Sequence, residues 1–364
     1  MTTTFSGAAL RYGIFGGSHE MCIGVEAEGL PAGEAVDPGE LSAFLRRRAP
    51  GQNAWSTPRK EADAPEFTSG LDESGRLTGG ILRAVIYNTN TRSGDYALDV
   101  PRPSHADYPA HVKYGGAVNM AGGGPFSGRM TAPLCVLGGI CKQILARRGI
   151  TIGAHLVQIG SVTAPGFDPV SAAPEAVTAA GKLEFPCEDA AASSAMQAEI
   201  ADARAEEDSV GGVIECCALG LPVGLGGPMT DGLESRVAAI VFGIPAVRGV
   251  EFGAGFAAAA MRGSAHNDPY IIKDGKIVTG TNRHGGVLGG ISTGMPLLFR
   301  AAFKPTPSIG RAQKSVSLSR MEPTELKISG RHDPCVVPRA VPVVEAACAV
   351  ALLDALLETE SLSL

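Results

Sequence analysis

Aromatic residues are scarce in this chain: 5% of 364 positions, with Trp55 the single tryptophan. Stacking platforms for unpaired bases need several exposed rings, and the formal net charge of −6 lacks the cationic excess that a phosphate backbone attracts. No nucleic-acid partner is expected. Paired cysteine spacings are missing too. Cys22, Cys135, Cys141, Cys187, Cys216, Cys217, Cys335 and Cys348 contain no C-x-x-C and no zinc-type Cys/His spacing. Most lie among apolar neighbours, where a free thiol behaves as a small hydrophobe. Neither a metal site nor a disulfide framework is expected. The start, Met1 to Phe5, has no basic segment followed by an apolar stretch, and no segment reaches ~18 uninterrupted apolar residues. The reading is a chain without a membrane span in a reducing cytoplasm. A strand–G-x-G-x-x-G–helix unit is absent, which sets aside a Rossmann domain. So is a G-x-S-x-G elbow; with Ser18 and His19 adjacent, a Ser-His-Asp hydrolase is set aside as well.

Glycine, by contrast, is abundant: 48 residues, about twice the usual ~7% share. The glycines fall in separate clusters, such as Gly122-Gly123-Gly124, Gly285-Gly286 and Gly289-Gly290, between apolar runs. Such clusters suit turns, or loops that approach a bound molecule closely. With 45% hydrophobic residues, no obvious linker and no repeat, the chain reads as one α+β domain over 1–364, with a helical insertion around 171–208. Asp37-Pro38 reads as an N-cap and first-turn proline opening a helix to Arg48. Further helices are expected over about 128–148, near 188–207, after Asp231, and from about 339 to 358. Strands are expected over 81–87, 155–162, 212–218 and 295–303.

The polar residues cluster unevenly. Arg46, Arg47, Arg48, Arg59 and Lys60 put five cations within fifteen residues. A helix C-terminus uses one or two cations, so the surplus points to an anion such as phosphate or carboxylate. Three histidines stand in Gly- or Pro-framed segments beside Ser, Asp or Arg: His19 in Gly16-Gly17-Ser18-His19, His105 in Arg102-Pro103-Ser104-His105-Ala106-Asp107, and His332 in Gly330-Arg331-His332-Asp333-Pro334-Cys335. An imidazole between a phosphate and a cation suits general-acid work near neutral pH. His111, His155 and His266 lack such surroundings and read as structural, with His284 intermediate. Lys304-Pro305-Thr306-Pro307-Ser308 offers an ammonium and hydroxyls on a stiff loop, which fits a phosphate monoester such as that of FMN.

Taken in order, these segments resemble the chorismate synthase family. Phe15 to His19 is similar to its Gly-Glu-Ser-His-Gly block, Arg47 to Gly51 to its Arg-Arg-Pro-Gly turn, and Arg102 to Asp107 with Lys113-Tyr114-Gly115 to its Arg-Pro-Gly-His-Ala-Asp and Lys-Tyr-Gly. Asp208 to Gly212, Gly286 to Ser292, Lys304 to Thr306 and Gly330 to Cys335 complete the series. The resemblance implies a β-α-β sandwich with helices between two antiparallel sheets, assembled as a homotetramer. It implies 1,4-anti-elimination of phosphate from 5-enolpyruvylshikimate 3-phosphate to chorismate, with reduced FMN as cofactor and no net redox change. NADPH would act as an indirect reductant, through a separate flavin reductase. By resemblance His19 would protonate the leaving phosphate, His105 would serve the flavin, and Asp333 would assist proton removal, with Ser18 and Ser127 as hydrogen-bonding partners. Pro125, Phe126, Ser127, Pro245, Ala246, Gly289, Lys304, Pro305, Thr306, Pro307, Ser308 and Arg331 match cofactor positions. Arg47, Arg48, Arg129 and Arg331 match anion positions for substrate or NADP. The chain departs from the pattern at Gly17, Glu20, Ala54, Pro125 and Met130. The alternatives from the same residues are another flavin-dependent lyase or oxidoreductase acting on a phosphorylated carboxylic acid, or a non-catalytic flavin- or anion-binding paralogue.

Overall fold

The computed structural model describes residues 2–51, 55, 61–89, 99–328 and 333–362. Ala54, Arg59, Lys60, Arg331 and His332 lie outside them. The strands are β1 (Thr2–Ser6), β2 (Arg11–Gly16), β3 (Cys22–Glu28), β4 (Glu66–Ser69), β5 (Leu82–Tyr87), β6 (Thr151–Ile159), β7 (Val162–Thr163), β8 (Gly212–Leu219), β9 (Val247–Phe252), β10 (Tyr270–Lys273), β11 (Lys276–Thr279), β12 (Val287–Leu288), β13 (Ile291–Ser292), β14 (Leu297–Phe303), β15 (Gln313–Ser317) and β16 (Glu322–Leu326). The helices are α1 (Pro38–Arg48), α2 (Asp107–Tyr114), α3 (Thr131–Arg147), α4 (Pro174–Ala179), α5 (Ala190–Ala205), α6 (Leu233–Val241), α7 (Gly263–His266) and α8 (Val337–Leu362).

Two five-stranded antiparallel sheets frame the protein, in the orders β1-β2-β3-β5-β4 and β7-β6-β8-β14-β9. Helix α3 packs on β3 and β5 of the first sheet, α8 packs on β6 and β8 of the second, and the two helices pack on each other. Helices lie between two antiparallel sheets, as the family resemblance implied. A helix in that layer has apolar neighbours on every side, so α3 and α8 carry no polar stripe. By length and composition α8 could cross a membrane, but 94% of its most apolar window is buried inside the protein. The crossing of α3 and α8 needs a glycine: a Cβ on Gly138 would stand 2.4 Å from the Ala346 Cα.

Local signals explain the helix ends. The Asp37 side chain accepts from the Gly39 and Glu40 N–H groups, capping α1. Helix α8 begins two residues earlier than expected because Pro338 is tolerated in a first turn, where its missing N–H has no intrahelical partner to lose. The expected 171–208 segment forms α4 and α5; Val177 of α4 is buried with Cys217 and Leu298 on the outer face of the second sheet.

Buried charge ties the layers together. Asp354 of α8 accepts the N–H groups of Ala9 and Leu10 at 2.8 Å and pairs with Arg236 at 3.1 Å. Glu345, also on α8, is held by Arg47 of α1 at 2.6 Å and by Lys142 of α3. Burial opposes ionisation of Glu345, but the two cations outweigh it and bring its pKa down to about 2. A carboxylate depressed in the folded state contributes stability in full above its unfolded value, 4.5, and loses it as pH falls toward 2. Glu345→Gln is therefore expected to flatten the stability profile across that window. At neutral pH it should cost about 3 kcal/mol, because two cations lose their partner. Urea unfolding at pH 7 and in mild acid measures both effects.

Candidate active site

The tight turn between β2 and β3 presents Ser18 and His19, and the Ser18 N–H donates to the Gly124 carbonyl at 3.2 Å. Gly122, Gly123 and Gly124 have φ of +62°, +89° and +51°, which disfavours any side chain there. Space forbids one as well. A Cβ on Gly122 would stand 2.5 Å from His19 Nε2, and one on Gly123 would stand 3.3 Å from both His105 Nε2 and Ser127 Cβ. The glycine run thus seats His19, His105 and Ser127 along one strip of backbone.

His105 is oriented by its own loop. Its Nδ1 lies 2.7 Å from Asp107 Oδ1, while Arg102 holds the same carboxylate through Nε and Nη2, both at 2.7 Å. Arg102 Nη2 also lies 3.2 Å from Nδ1; the shorter contact, to an anion, assigns the Nδ1 proton to Asp107. Nε2 is then the nitrogen left to exchange a proton, and it faces Gly123. Burial raises the cost of the Asp107 charge, but hydrogen bonds from Arg102 and His105 and their charge hold its pKa well below the ordinary carboxylate range.

The loop after β14 closes on this one. Arg102 Nη1 donates to Ser308 Oγ at 3.2 Å and Lys304 Nζ to the Ser104 carbonyl at 3.0 Å. The Lys304 N–H reaches the Ala246 carbonyl at 2.9 Å, and Ala246 adopts φ +77°. Ser209 Oγ donates to the Thr306 carbonyl at 2.7 Å. Burial, with Arg248 nearby, pushes the Lys304 pKa down. Thr306 Oγ1 is buried without a hydrogen-bond partner.

Two buried arginines form the third part. Asp63 bridges them, accepting from Arg48 Nη1 at 2.5 Å and from Arg129 Nη1. Burial works against the Asp63 charge, yet the two guanidiniums keep its pKa below normal. Arg48 spends its remaining nitrogens on Thr131 Oγ1 and the Gly128 carbonyl, at 3.2 and 3.0 Å. Arg129 Nε donates to Asn88 Oδ1 at 3.0 Å, but its Nη2 is buried with no hydrogen-bond partner and stands 4.0 Å from Glu61. Of the two, Arg129 keeps a donor for a ligand. Asn88 also donates to the carbonyls of Gly17 and Glu20, at 3.1 and 2.8 Å, so it couples the His19 turn to Arg129. Asp333 is held by Arg339 Nη1 at 3.1 Å, and Arg339 Nε donates to the Arg48 carbonyl at 3.2 Å.

The structure thus draws most of the expected residues into connected loops: Ser18, His19, His105, Ser127, Lys304, Thr306, Ser308 and Ala246 with Pro245 beside it, and Arg48 and Arg129 with Asp333 reached through Arg339. Pro125 and Phe126 belong to the glycine run, while Pro305 and Pro307 stiffen the loop after β14. Two expected residues stand apart. Arg47 is spent on Glu345. Gly289 lies at the tip of the β12–β13 hairpin, where neighbouring Gly290 packs on Gly227 and Gly232. Asp63, Asn88 and Arg339 were missed from sequence; the only local signal was the pair of carboxylates Glu61 and Asp63 just after Arg59-Lys60. His155, read as structural, faces Glu215 at 3.4 Å, and His284, read as intermediate, faces Asp268 at 3.3 Å. Seven of the cysteines are buried and Cys22 partly so; burial pushes the Cys335 thiol up to about 12.

A cluster of imidazoles, hydroxyls and arginines around glycine backbone suits removal of a phosphate from an anionic substrate. A comparison with family models points the same way: the model described as chorismate synthase matches residues 10–357. The chain belongs to the chorismate synthase family. It is 47% identical to the chorismate synthase of Lancefieldella parvula, over 98% of this chain and 96% of that protein. It is also 47% identical to that of Thermococcus kodakarensis, over 96% and 97%. A solved structure described as a crystal structure of chorismate synthase superposes with a TM-score of 0.77 at 27% identity, covering 97% of this chain and 93% of the other. With the family comes the class of enzyme, a carbon–oxygen lyase, and the alternative readings are not favoured. One departure from the chorismate synthase pattern has a structural counterpart. The Glu20 carboxylate lies 3.0 Å from where a Gly17 Cβ would be, so Glu20 fills the space that the family's glutamate side chain at position 17 would enter.

Proposed function

We propose that the protein makes chorismate by 1,4-anti-elimination of phosphate from 5-enolpyruvylshikimate 3-phosphate, with reduced FMN as cofactor. The observation that carries this reading is the seating of His19, His105 and Ser127 on Gly122 to Gly124, next to the arginine pair. The residues fit a flavin phosphate: Thr306 Oγ1 is buried and unpartnered between Lys304 and Ser308, an ammonium-and-hydroxyl set suited to a phosphate monoester. Lys304 to Ser308, Pro245-Ala246 and Pro125 to Ser127 would hold the cofactor; the resemblance adds Arg331, while Gly289 stands apart from these loops. Bound reduced FMN would lend electron density to the breaking allylic C–O bond without net redox change.

The chain's own groups do the rest. Arg129, with its unspent Nη2, binds a substrate anion, and Arg48 backs it through Asp63. His19 carries the proton for the departing phosphate, with Ser18 as its hydrogen-bonding neighbour. His105 holds a proton at Nε2, its ring fixed by Asp107. Asp333, steadied by Arg339, assists removal of the substrate proton. NADPH would act indirectly through a separate flavin reductase. A homotetrameric, cytoplasmic enzyme built as a single domain over 1–364 completes the reading.

Anaerobic incubation of the substrate with chemically reduced FMN tests the reaction. Chorismate and inorganic phosphate are expected in equal amounts. Flavin and substrate binding without chorismate would identify a non-catalytic paralogue instead.

A further inference from the structure

The outer face of the second sheet carries a row of ionisable side chains unrelated to that site. His155 on β6 is registered opposite Glu215 on β8, Glu215 opposite Arg300 on β14, and Arg300 opposite Glu251 on β9. The outer pairs are closed, His155 to Glu215 at 3.4 Å and Arg300 to Glu251 at 2.8 Å. Directly opposed residues come within ~5 Å at Cβ, yet Glu215 and Arg300 turn to their other neighbours. Both line a cavity of about 370 Å³, together with Phe167, Asn282, Arg283 and Leu298, a size within the ~300–1,000 Å³ of ligand pockets.

The polar atoms around this cavity divide into spent and unspent. Asn282 is spent, donating to the Pro169 and Pro296 carbonyls and accepting from the Gly286 N–H. Arg300 uses Nη2 alone, on Glu251 and on the Gly253 carbonyl at 3.3 Å. Arg283 uses Nη1 alone, on Thr281 Oγ1 at 3.1 Å, with Asp268 at 3.9 Å. Glu215 uses Oε2, accepting the Phe167 N–H at 2.6 Å beside His155. Among the described residues, Nε and Nη1 of Arg300, Nε and Nη2 of Arg283, and Oε1 of Glu215 have no hydrogen-bond partner. The apolar lining is the Phe167 ring, stacked on His155 at 3.9 Å, and the outward-facing Leu298.

We propose that this cavity binds an α-amino acid zwitterion with an apolar side chain. The ammonium meets Glu215 Oε1, the carboxylate meets Arg283 and Arg300, and the side chain lies on Phe167 and Leu298. A simple anion would have to face Glu215, and a simple cation two guanidiniums; a molecule carrying both poles satisfies each.

Calorimetric titration of the full chain with L-phenylalanine and L-leucine, alongside 3-phenylpropanoate and phenethylamine, tests this. Both amino acids should bind, and each single-pole analogue should bind at least about tenfold more weakly, the effect of one lost charge-assisted contact. Glu215→Gln should erase the advantage of L-phenylalanine over 3-phenylpropanoate, and Arg283→Gln should shrink its advantage over phenethylamine, Arg300 remaining, with circular dichroism confirming the fold of each. Absence of binding by both amino acids at millimolar concentration overturns the proposal. So does equal affinity for the single-pole analogues, or binding that neither variant alters.

Discussion

His105→Ala is expected to slow chorismate formation by roughly 10²–10⁴-fold, the range for losing a positioned general acid or base, and His19→Ala by a similar factor. Both imidazoles stand on the same glycine strip, with His105 Nε2 3.3 Å from a Cβ position on Gly123 and His19 Nε2 2.5 Å from one on Gly122. The two losses should differ in kind. His105 is locked by Asp107 and Arg102 in a loop that also binds Ser308, so its removal should act at the cofactor and disturb flavin affinity as well as turnover. His19 sits on the β2–β3 turn, held through Asn88 on the arginine side, so its removal should leave flavin binding intact. Asp107→Asn keeps the ring and frees its tautomer, and should cost less than His105→Ala. Anaerobic single-turnover rates with flavin titrations separate these effects. Near wild-type rates in both folded alanine variants would end the acid assignments.

Asp63→Asn should be the most destabilising single change at the site. Asp63 is fully enclosed and bridges Arg48 and Arg129; without its charge, two buried guanidiniums face each other with only Glu61, 4.0 Å from Arg129 Nη2, as a nearby counter-charge among the described residues. Removing one partner of a buried pair costs about 3–5 kcal/mol, measurable as a lower urea midpoint with little change in slope. Asparagine is the right probe because Asp63 has φ +51°, and asparagine tolerates that left-handed conformation better than most residues. The backbone is therefore kept and only the charge removed. The substrate KM should rise along with the loss of stability, since Arg129 is no longer aimed. A variant as stable as the parent would show that the arginine pair does not depend on this carboxylate.

The secondary structure was legible where a local signal decides it. Asp37 and Pro38 mark the start of α1, and the apolar runs at 212–218 and 295–303 became β8 and β14 with ends displaced by a residue or two. Strands β2 and β3 were not drawn from sequence, because their alternation is broken by Gly13, Gly16 and Gly24, which blur a period-two pattern. Those glycines make sense only in three dimensions: a Cβ on Gly24 would stand 2.5 Å from the Ala84 carbonyl on the neighbouring strand. The site was legible as motifs, since each turn carries its histidine, serine or lysine within a few residues.

By itself the sequence determined the family and the loops that carry chemistry, because motif order is written along the chain, and through that resemblance it implied helices between two sheets. Which arginines remain free for a ligand was decided only by the tertiary structure. Arg47 and Arg48 are adjacent and chemically identical, yet Arg47 is claimed by Glu345, 298 positions away, and Arg48 by Asp63, 15 away. Arg129 shares that same Asp63 from 66 positions away and, among the arginines of the described residues, is the one with a buried nitrogen that lacks a hydrogen-bond partner. The reason is physical: a buried cation must find a counter-charge wherever the fold brings one near, and local spacing carries no record of that partner.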